Sequence, residues 1–249
     1  MKLITPLLAL ALAAAPDPAA LNNGSTRLLR QPTVSASHIA FAYANNIWSV
    51  ERAGGMARRL TSFQGQAQNP RFSPDGKWIA FSSDRNGNFD IYVIHPDGTG
   101  MRRLTQTTCE DTDPSWSPDG TKIAFTSRRG GIPHVWTMNA NGSGERKLLK
   151  DGGWSPAWSP DGKSIAFVND DDGDDEIYSV GSDGRGVTQL TDNAGIADDG
   201  PTWSPDSTML AFSSNRDGDG DIFEMRADGS DVHVIVSGVW TDDSPAWRR

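Results

Sequence analysis

The sequence has few of the residues and motifs that form disulfides, bind metals or carry out catalysis. It contains one cysteine, Cys109, so no disulfide can form within the chain, and its neighbours supply no base that would activate the thiol. The four histidines are scattered, and no Gly-x-Ser-x-Gly, His-Glu-x-x-His or phosphate-binding glycine motif occurs. These absences argue against a disulfide-stapled fold, a zinc protease, a serine hydrolase and a nucleotide-binding enzyme.

Basic residues are also scarce. The chain has 23 Lys and Arg against 32 Asp and Glu, which gives a formal net charge of -9. A nucleic-acid-binding domain needs a basic face, so this charge argues against that class of partner. It favours instead a protein or peptide with a basic patch, or a cation.

Long apolar runs are missing except near the N-terminus. The run from Leu7 to Ala15 follows Lys2, ends in small residues, and is too short to span a bilayer. We therefore predict a signal peptide within residues 1–20, no membrane span, and a periplasmic or secreted protein. The alternative is an unstructured leader rich in alanine and proline.

What the sequence does contain is a repeat. A motif built on Pro-x-(Trp/Phe)-Ser-Pro-Asp-Gly recurs, degenerate at its first copy and cut short at its last, with prolines 38 to 45 residues apart. These prolines are Pro32, Pro70, Pro114, Pro156, Pro201 and Pro245. A β-rich unit of this period is typical of propeller blades.

The second repeat shows the strands of one blade. It predicts strands at Asn69–Ser73, Trp78–Ser82, Asp90–Ile94 and Met101–Thr105, joined by turns rich in Asp and Gly. The recurring Ile-Ala-Phe triplet is apolar on both sides of its strand, as a sheet packed between two neighbours requires. We assign the repeated aromatic residues to this packing and not to binding.

The predicted fold is an all-β propeller of four-stranded antiparallel blades over residues 26–249. Five complete blades are predicted at about 32–61, 70–105, 114–149, 156–191 and 201–236, with a partial sixth at 245–249. The segment 27–30 resembles another outer strand. Two interpretations stay open: five blades close with a surplus strand, or the chain is a fragment of a longer six-bladed protein.

More than half of the 32 acidic residues fall on one rim of this fold, where the loops before the first strand and after the second strand of each blade emerge. We call this the acidic rim and predict that it binds a partner with a basic patch. The alternative is that these charges serve solubility alone. The candidate partner-binding residues are Asp111, Asp113, Asp198, Asp199, Asp242 and Asp243.

A candidate calcium site lies in one loop of this rim. Asp217, Asp219 and Asp221 alternate with glycine, and carboxylates at this spacing supply the oxygen ligands that Ca²⁺ prefers. The closing glutamate of an EF-hand loop is absent, so no complete calcium motif is present. Ca²⁺ is the one cofactor that the sequence suggests.

One polar position recurs at the start of the third strand of each blade. It could line one mouth of the propeller, but hydrogen bonding at the strand entry is the favoured interpretation. The residues are Asn46, Asp90, His134, Glu176 and Asp221.

These motifs resemble those of the TolB-type propeller family over Gln68–Trp247. The resemblance rests on Trp116–Gly120, Ile123–Gly130, Val135–Gly142 and Arg102–Thr105, while the first blade is more similar to that of tricorn-type peptidases. It implies a non-enzymatic, exported module that binds a protein or peptide, such as an envelope protein, through its acidic rim and axial mouth. The alternative is an accessory propeller of a hydrolase or peptidase, or a metal-dependent propeller hydrolase or lyase.

Overall fold

A computed structural model describes residues 30–171, 173–218, 220–237 and 245, and these form five four-stranded antiparallel sheets. Blade 1 contains β1 (Arg30–Val34), β2 (His38–Tyr43), β3 (Asn46–Glu51) and β4 (Arg58–Arg59). Blade 2 contains β5 (Ala67–Phe72), β6 (Ile79–Ser83), β7 (Asp90–Ile94) and β8 (Arg102–Arg103). Blade 3 contains β9 (Asp111–Trp116), β10 (Lys122–Ser127), β11 (His134–Asn139) and β12 (Arg146–Lys147).

The last two blades follow the same order. Blade 4 contains β13 (Trp154–Trp158), β14 (Ser164–Asn169), β15 (Glu176–Gly181) and β16 (Thr188–Gln189). Blade 5 contains β17 (Asp198–Trp203), β18 (Met209–Ser214), β19 (Asp221–Arg226) and β20 (His233–Val236). The prediction of five four-stranded antiparallel blades is confirmed. Among the described residues there is no helix with the length and apolarity needed to cross a lipid bilayer.

The turn after each first strand is held by its own side chains. In blade 2, Ser73 Oγ donates to Asp75 Oδ1 at 2.6 Å, and the Lys77 amide donates to the same oxygen at 3.1 Å. Gly76 has φ of 69°, a conformation that costs glycine little. The assignment of these Asp-Gly pairs to turn formation therefore agrees with the structure.

The inner strand of blade 2 is longer than predicted and contains a β-bulge. It begins at Ala67, and its register against β6 shifts between Gln68 and Arg71. Asn69 lies at this shift with φ of 54°. The bulge leaves one residue unpaired, which lets the strand pass through Pro70 without a missing ladder bond. The outer strand is shorter than predicted and spans Arg102–Arg103.

Apolar side chains fill the space between neighbouring blades. The phenylalanines of the Ile-Ala-Phe triplets in blades 2 to 4 are Phe81, Phe125 and Phe167, and all three are fully buried. Trp116, Trp158 and Trp203 on the inner strands are also buried, each in a cluster with residues of the preceding blade. The prediction that these aromatic residues pack between blades is confirmed.

The blades pack in chain order around the innermost strands. β1 contacts β5, β5 contacts β9, β9 contacts β13, and β13 contacts β17. Among the described residues, β17 makes no comparable contact with β1. Pro245 is the one described residue of the predicted partial sixth blade, and residues 246–249 lie outside the described residues, as does the predicted signal peptide. The two interpretations of propeller closure therefore both stay open.

Candidate functional site

Five inner-strand positions, one in each blade, share an unusual backbone conformation. Each immediately precedes the repeat proline and has a positive φ between 51° and 64°. They are Gln31, Asn69, Asp113, Ser155 and Gly200. Left-handed backbone is uncommon outside glycine. Its recurrence at one position in every blade shows that it is a regular structural feature of the repeat.

Hydrogen bonds between neighbouring blades join the first three of these positions. The Asn69 amide donates to Gln31 Oε1 at 2.8 Å, and Asn69 Nδ2 donates to Asp113 Oδ1. The Ser155 amide donates to Thr126 Oγ1 of blade 3 at 3.0 Å. We call the five positions, together with Asp199, the axial mouth. It lies at the acidic-rim end of the inner strands.

Asp113 carries the most confined carboxyl group of the axial mouth. Burial raises its pKa above the ordinary aspartate value. The hydroxyl of Thr112, which donates at 2.8 Å, and the charge of Arg71 oppose that increase. Loss of hydration beside the neighbouring strands lowers the pKa of Arg71 although the residue is exposed, and its guanidinium donates to Pro70 O at 3.0 Å. The charges of Asp113 and Arg71 act on each other from neighbouring inner strands.

Asp199 belongs to the same electrostatic site although it lies two blades further on. Partial burial raises its pKa, and the Gly200 amide, donating at 2.6 Å, opposes this increase. The negative charges of Asp113 and Asp175 raise its pKa further. The side chain remains accessible to solvent, while the surrounding protein removes part of its hydration. The charge of a blade 3 carboxyl group thus acts on a carboxyl group of blade 5.

Asp111 and Asp198 have a different environment from the one that the sequence suggested. Both side chains are fully buried at the start of their inner strands. Arg129 Nη2 donates to Asp111 at 2.7 Å, and Arg216 Nη2 donates to Asp198 at 2.8 Å. Each pair ties the loop after the second strand to the first strand of its own blade. We therefore do not retain these two aspartates as direct partner contacts.

The two arginines explain a repeat motif. Arg129 lies over the Trp136 ring at 4.7 Å and Arg216 over the Phe223 ring at 4.6 Å. In blades 3 and 5 the arginine of Ile-Ala-Phe-x-Ser-x-Arg-x-Gly therefore joins the loop to the blade through an ion pair and a cation–π contact. Asp242 and Asp243, the remaining candidate partner contacts, lie outside the described residues.

The candidate calcium loop is described only in part. Asp217 is exposed, Asp221 is buried as the first residue of β19, and Asp219 lies outside the described residues. Within the ranges that the structure describes, no group of three or more His, Cys, Asp or Glu side chains is arranged to hold a metal ion. The calcium site stays a prediction.

The polar residues at the entry of the third strands are held by threonines of the outer segment. Thr61 Oγ1 donates to Asn46 at 3.0 Å and Thr105 Oγ1 donates to Asp90 at 3.2 Å. Thr191 Oγ1 donates to Glu176 in the same way. The structure thus agrees with strand-entry hydrogen bonding at these three positions.

Besides its aspartates, the axial mouth contains residues that composition and motif spacing do not point to. They are Gln31, Asn69 and Ser155, with Arg71 nearby. The signal was present in the column before the repeat proline, where every blade carries a polar residue or glycine. A β-bulge at that column cannot be read from composition, so the direction of these side chains was not predictable.

Family models match both ends of the propeller. The model described as the TolB beta propeller domain matches residues 149–248, and the Tricorn protease N-terminal beta propeller domain matches residues 26–108. Among curated relatives, the Tol-Pal system protein TolB of Syntrophus aciditrophicus is 54% identical over 33 residues. The chain is thus similar to TolB-type propellers over residues 149–248 and to the tricorn-type propeller over residues 26–108.

Solved structures share the propeller fold. The structure of a putative TolB from Agrobacterium tumefaciens has a TM-score of 0.78 and 24% identity, covering 88% of this chain and 86% of that one. TolB from Acinetobacter baumannii has a TM-score of 0.68 and 27% identity, covering 81% of this chain and 52% of that one. The matched segments span 19% or less of the length of the curated relatives. What this chain shares with them is therefore the repeat unit.

Proposed function

We propose that this TolB-like propeller is an exported, non-enzymatic binding module that receives a cationic group of a partner protein at its axial mouth. The observation that carries this proposal is the pair Asp113 and Asp199. Their carboxyl groups come from different blades, and the charge of Asp113 raises the pKa of Asp199. A lysine or arginine side chain placed between them would relieve this repulsion and offset the lost hydration.

The surroundings of the axial mouth favour the same partner chemistry. Asp175, whose charge also acts on Asp199, has a pKa raised by burial and by the charges of Asp170 and Asp174. The whole chain carries a formal net charge of -9, which steers basic surfaces toward it. Asp242 and Asp243 stay in the proposal as further acids of the rim. Arg71 would contribute specificity by repelling a second cation.

The proposed location is the periplasm. The apolar run before Ala15 and the resemblance to TolB-type propellers support export. A partner in the cell envelope with a basic patch fits both the location and the charge. The alternative of a hydrolase or lyase function stays a hypothesis, which an activity screen with and without chelator would test.

A titration with pentalysine as the probe tests the binding proposal. We expect the double variant Asp113→Asn/Asp199→Asn to bind pentalysine at least about tenfold more weakly than the wild type, since about 1.4 kcal/mol of lost attraction has that effect. The control is Asp183→Asn, which removes one carboxyl group from an exposed turn on the opposite rim. Equal affinity in all three proteins would contradict the proposal.

Raising the salt concentration provides the second arm of this experiment. Surface attraction weakens as the Debye length falls to about 3 Å at 1 M salt, whereas a confined pair is screened less. The difference between wild type and double variant should therefore persist at a salt concentration that abolishes the effect of Asp183. If the difference between wild type and double variant disappears at the same salt concentration as the effect of Asp183→Asn, the binding depends on net charge alone.

A further inference from the structure

The outer strands of the first three blades carry charge of one sign. Each of these strands is the last of its sheet, so one of its edges is unpaired. Both residues are basic in each of them: Arg58 and Arg59 in β4, Arg102 and Arg103 in β8, and Arg146 and Lys147 in β12. We call these six residues the basic belt. In a chain with a formal net charge of -9, the basic belt is a local reversal of charge.

Carboxylates leave most of this positive charge uncompensated. Arg103 Nη2 lies 2.7 Å from Asp90 Oδ2, so this one arginine is held within its own blade. Among the residues that the structure describes, the other five members of the basic belt form no ion pair. The charge of Arg58 acts on Asp97 of the next blade without an ion pair between them. Five cations are therefore available to an anionic partner.

Protection of the sheet edges does not explain the basic belt by itself. Charged side chains on an exposed edge discourage pairing with another chain. The outer strand of blade 4 has an equally exposed edge, yet its residues Thr188 and Gln189 are neutral. Edge protection also does not require neighbouring blades to carry the same sign. The concentration of positive charge on blades 1 to 3 therefore points to recognition of an anion.

Blade 3 also lacks an acidic residue that would partly neutralise the basic belt. The turn before the outer strand carries Asp97, Asp183 and Asp228 in blades 2, 4 and 5, and Asn141 in blade 3. The Thr99 amide donates to Asp97 Oδ1 at 2.8 Å, and the Ser143 amide donates to Asn141 Oδ1 at 3.0 Å. Asn141 thus keeps the hydrogen bond of the turn and removes its negative charge.

Arg102 is the belt residue closest to this neutral turn. Arg102 and Asn141 line one cleft of about 600 Å³ between blades 2 and 3. The Arg102 guanidinium lies 4.4 Å from the centre of the Trp78 ring, which orients the side chain without neutralising its charge. Asp75 and Asp119 also line the cleft, but each accepts from a serine of its own turn at 2.6 Å and neither pairs with Arg102.

We propose that the basic belt binds an extended acidic segment of a partner protein. Packed sheets lie about 10 Å apart, so three outer strands extend over at least about 20 Å. A segment of six or more residues can cover this length at about 3.3 Å per residue. Blades arranged around an axis present their outer strands in different directions. A flexible chain can follow them, whereas a flat membrane surface would contact only some of the cations.

This site is separate from the proposed function, because it uses no residue of the axial mouth. Labelled dodecaglutamate, about 40 Å long when extended, serves as the probe in a fluorescence anisotropy titration of the full chain. We expect saturable binding that weakens strongly as salt is added. Tetraglutamate reaches only about 13 Å and cannot contact all three blades, so it should bind at least about tenfold more weakly.

Two variants remove cations from opposite ends of the basic belt. They are Arg58→Gln/Arg59→Gln in β4 and Arg146→Gln/Lys147→Gln in β12. Each should weaken dodecaglutamate binding at least about threefold, and the four changes together at least about tenfold. None of these residues forms an ion pair in the described part of the chain, so the variants should keep the Tm of wild type.

Two further variants control for net charge and for the axial mouth. Lys163→Gln/Arg226→Gln removes two exposed cations from blades 4 and 5, and it should change dodecaglutamate affinity less than about twofold. Asp113→Asn/Asp199→Asn should bind dodecaglutamate at least as tightly as wild type. Failure of this proposal is therefore distinguishable from failure of the axial one.

Four outcomes would overturn the proposal. The first is no saturable binding of dodecaglutamate to wild type, or equal losses in the belt variants and in Lys163→Gln/Arg226→Gln. The second is equal affinity for tetraglutamate and dodecaglutamate, which would exclude an extended ligand. The third is tighter binding to phosphatidylglycerol vesicles that the belt variants abolish, which would make a membrane the partner. The fourth is a dimer of this chain, detected by light scattering, that the belt variants dissociate.

Discussion

Some aspartates of the acidic rim form structural ion pairs and others lie at the surface, and the extent of burial distinguishes the two groups. Asp198 is fully buried, and its Oδ2 accepts from Arg216 and from Asn193 Nδ2 at 3.1 Å. Asp199, the next residue, is accessible to solvent and lies in the axial mouth. Since a buried carboxylate is stable only while its cationic partner is present, Asp198 belongs to the structure of blade 5 and Asp199 to its surface.

Removing Arg216 should therefore be costly. Arg216→Met leaves the Asp198 carboxylate buried without its cation, and we expect the free energy of unfolding to fall by about 3–5 kcal/mol. Blade 2 provides a matched control, because Ala67 stands at the aspartate position and Arg85 lies over Phe63 at 4.2 Å without such an ion pair. Arg85→Met should cost only about 1 kcal/mol, the worth of its ring contacts.

Urea denaturation of the two variants measures this difference. Similar losses in Arg216→Met and Arg85→Met would contradict the assignment of Asp198 to a structural ion pair. The m-value should stay that of wild type, since neither change alters the surface exposed on unfolding.

At the scale of the element, close approach between blades constrains the turns more than the local sequence does. Gly142 and Gly173 both have positive φ, of 88° and 107°. A Cβ on Gly142 would stand 2.9 Å from the Leu104 carbonyl oxygen, whereas nothing lies within 4 Å of the same atom on Gly173. The two glycines share backbone conformation and differ only in their neighbours.

Comparing Gly142→Ala with Gly173→Ala separates the cost of placing alanine at a positive φ from the cost of a steric clash with blade 2. Gly173→Ala should lose about 1 kcal/mol of stability from the left-handed backbone alone. Gly142→Ala should lose clearly more, about 2–4 kcal/mol, because the backbone of blade 2 must also move. Thermal unfolding of both variants measures this contrast, and equal changes in Tm would show that blade 3 does not press on Leu104 as described.

The strands and turns could be predicted from the sequence, whereas the direction of side chains at the β-bulges could not. The Ile-Ala-Phe and Asp-Gly columns predicted the strands and turns, because burial on both faces and turn chemistry are local properties of the repeat. Asp111 and Asp113 are two residues apart, and in a regular strand both would lie on the same face. The β-bulge between Asp111 and Trp116 removes that alternation, so Asp111 reaches Arg129 while Asp113 lies in the axial mouth.

At the scale of the whole molecule, internal repetition makes each blade a reference for the others. The leucines that follow the paired outer-strand residues are buried in blades 1 to 4, and the sequence alone does not show that the next sheet covers them. The same comparison shows that the axial mouth is not symmetric. Carboxyl groups enter from blades 3 and 5, and the other positions are neutral. A partner would therefore bind in one orientation, with its cationic group between Asp113 and Asp199.

Proton release on binding tests the central claim of this account most directly. A cation at the axial mouth favours the ionised carboxylates, so it lowers the raised pKa values of Asp113 and Asp199. Binding of pentalysine at a pH within their titration range must then release protons. Calorimetric titration in two buffers with different ionisation enthalpies gives the number of protons released.

We expect a measurable release for wild type, none for Asp113→Asn/Asp199→Asn, and an unchanged release for Asp183→Asn. The release should also fade as the pH rises above the raised pKa values, because both carboxyl groups are then ionised before binding. Binding of pentalysine without proton release at any pH, or equal release from the double variant, would contradict a cation site at the axial mouth.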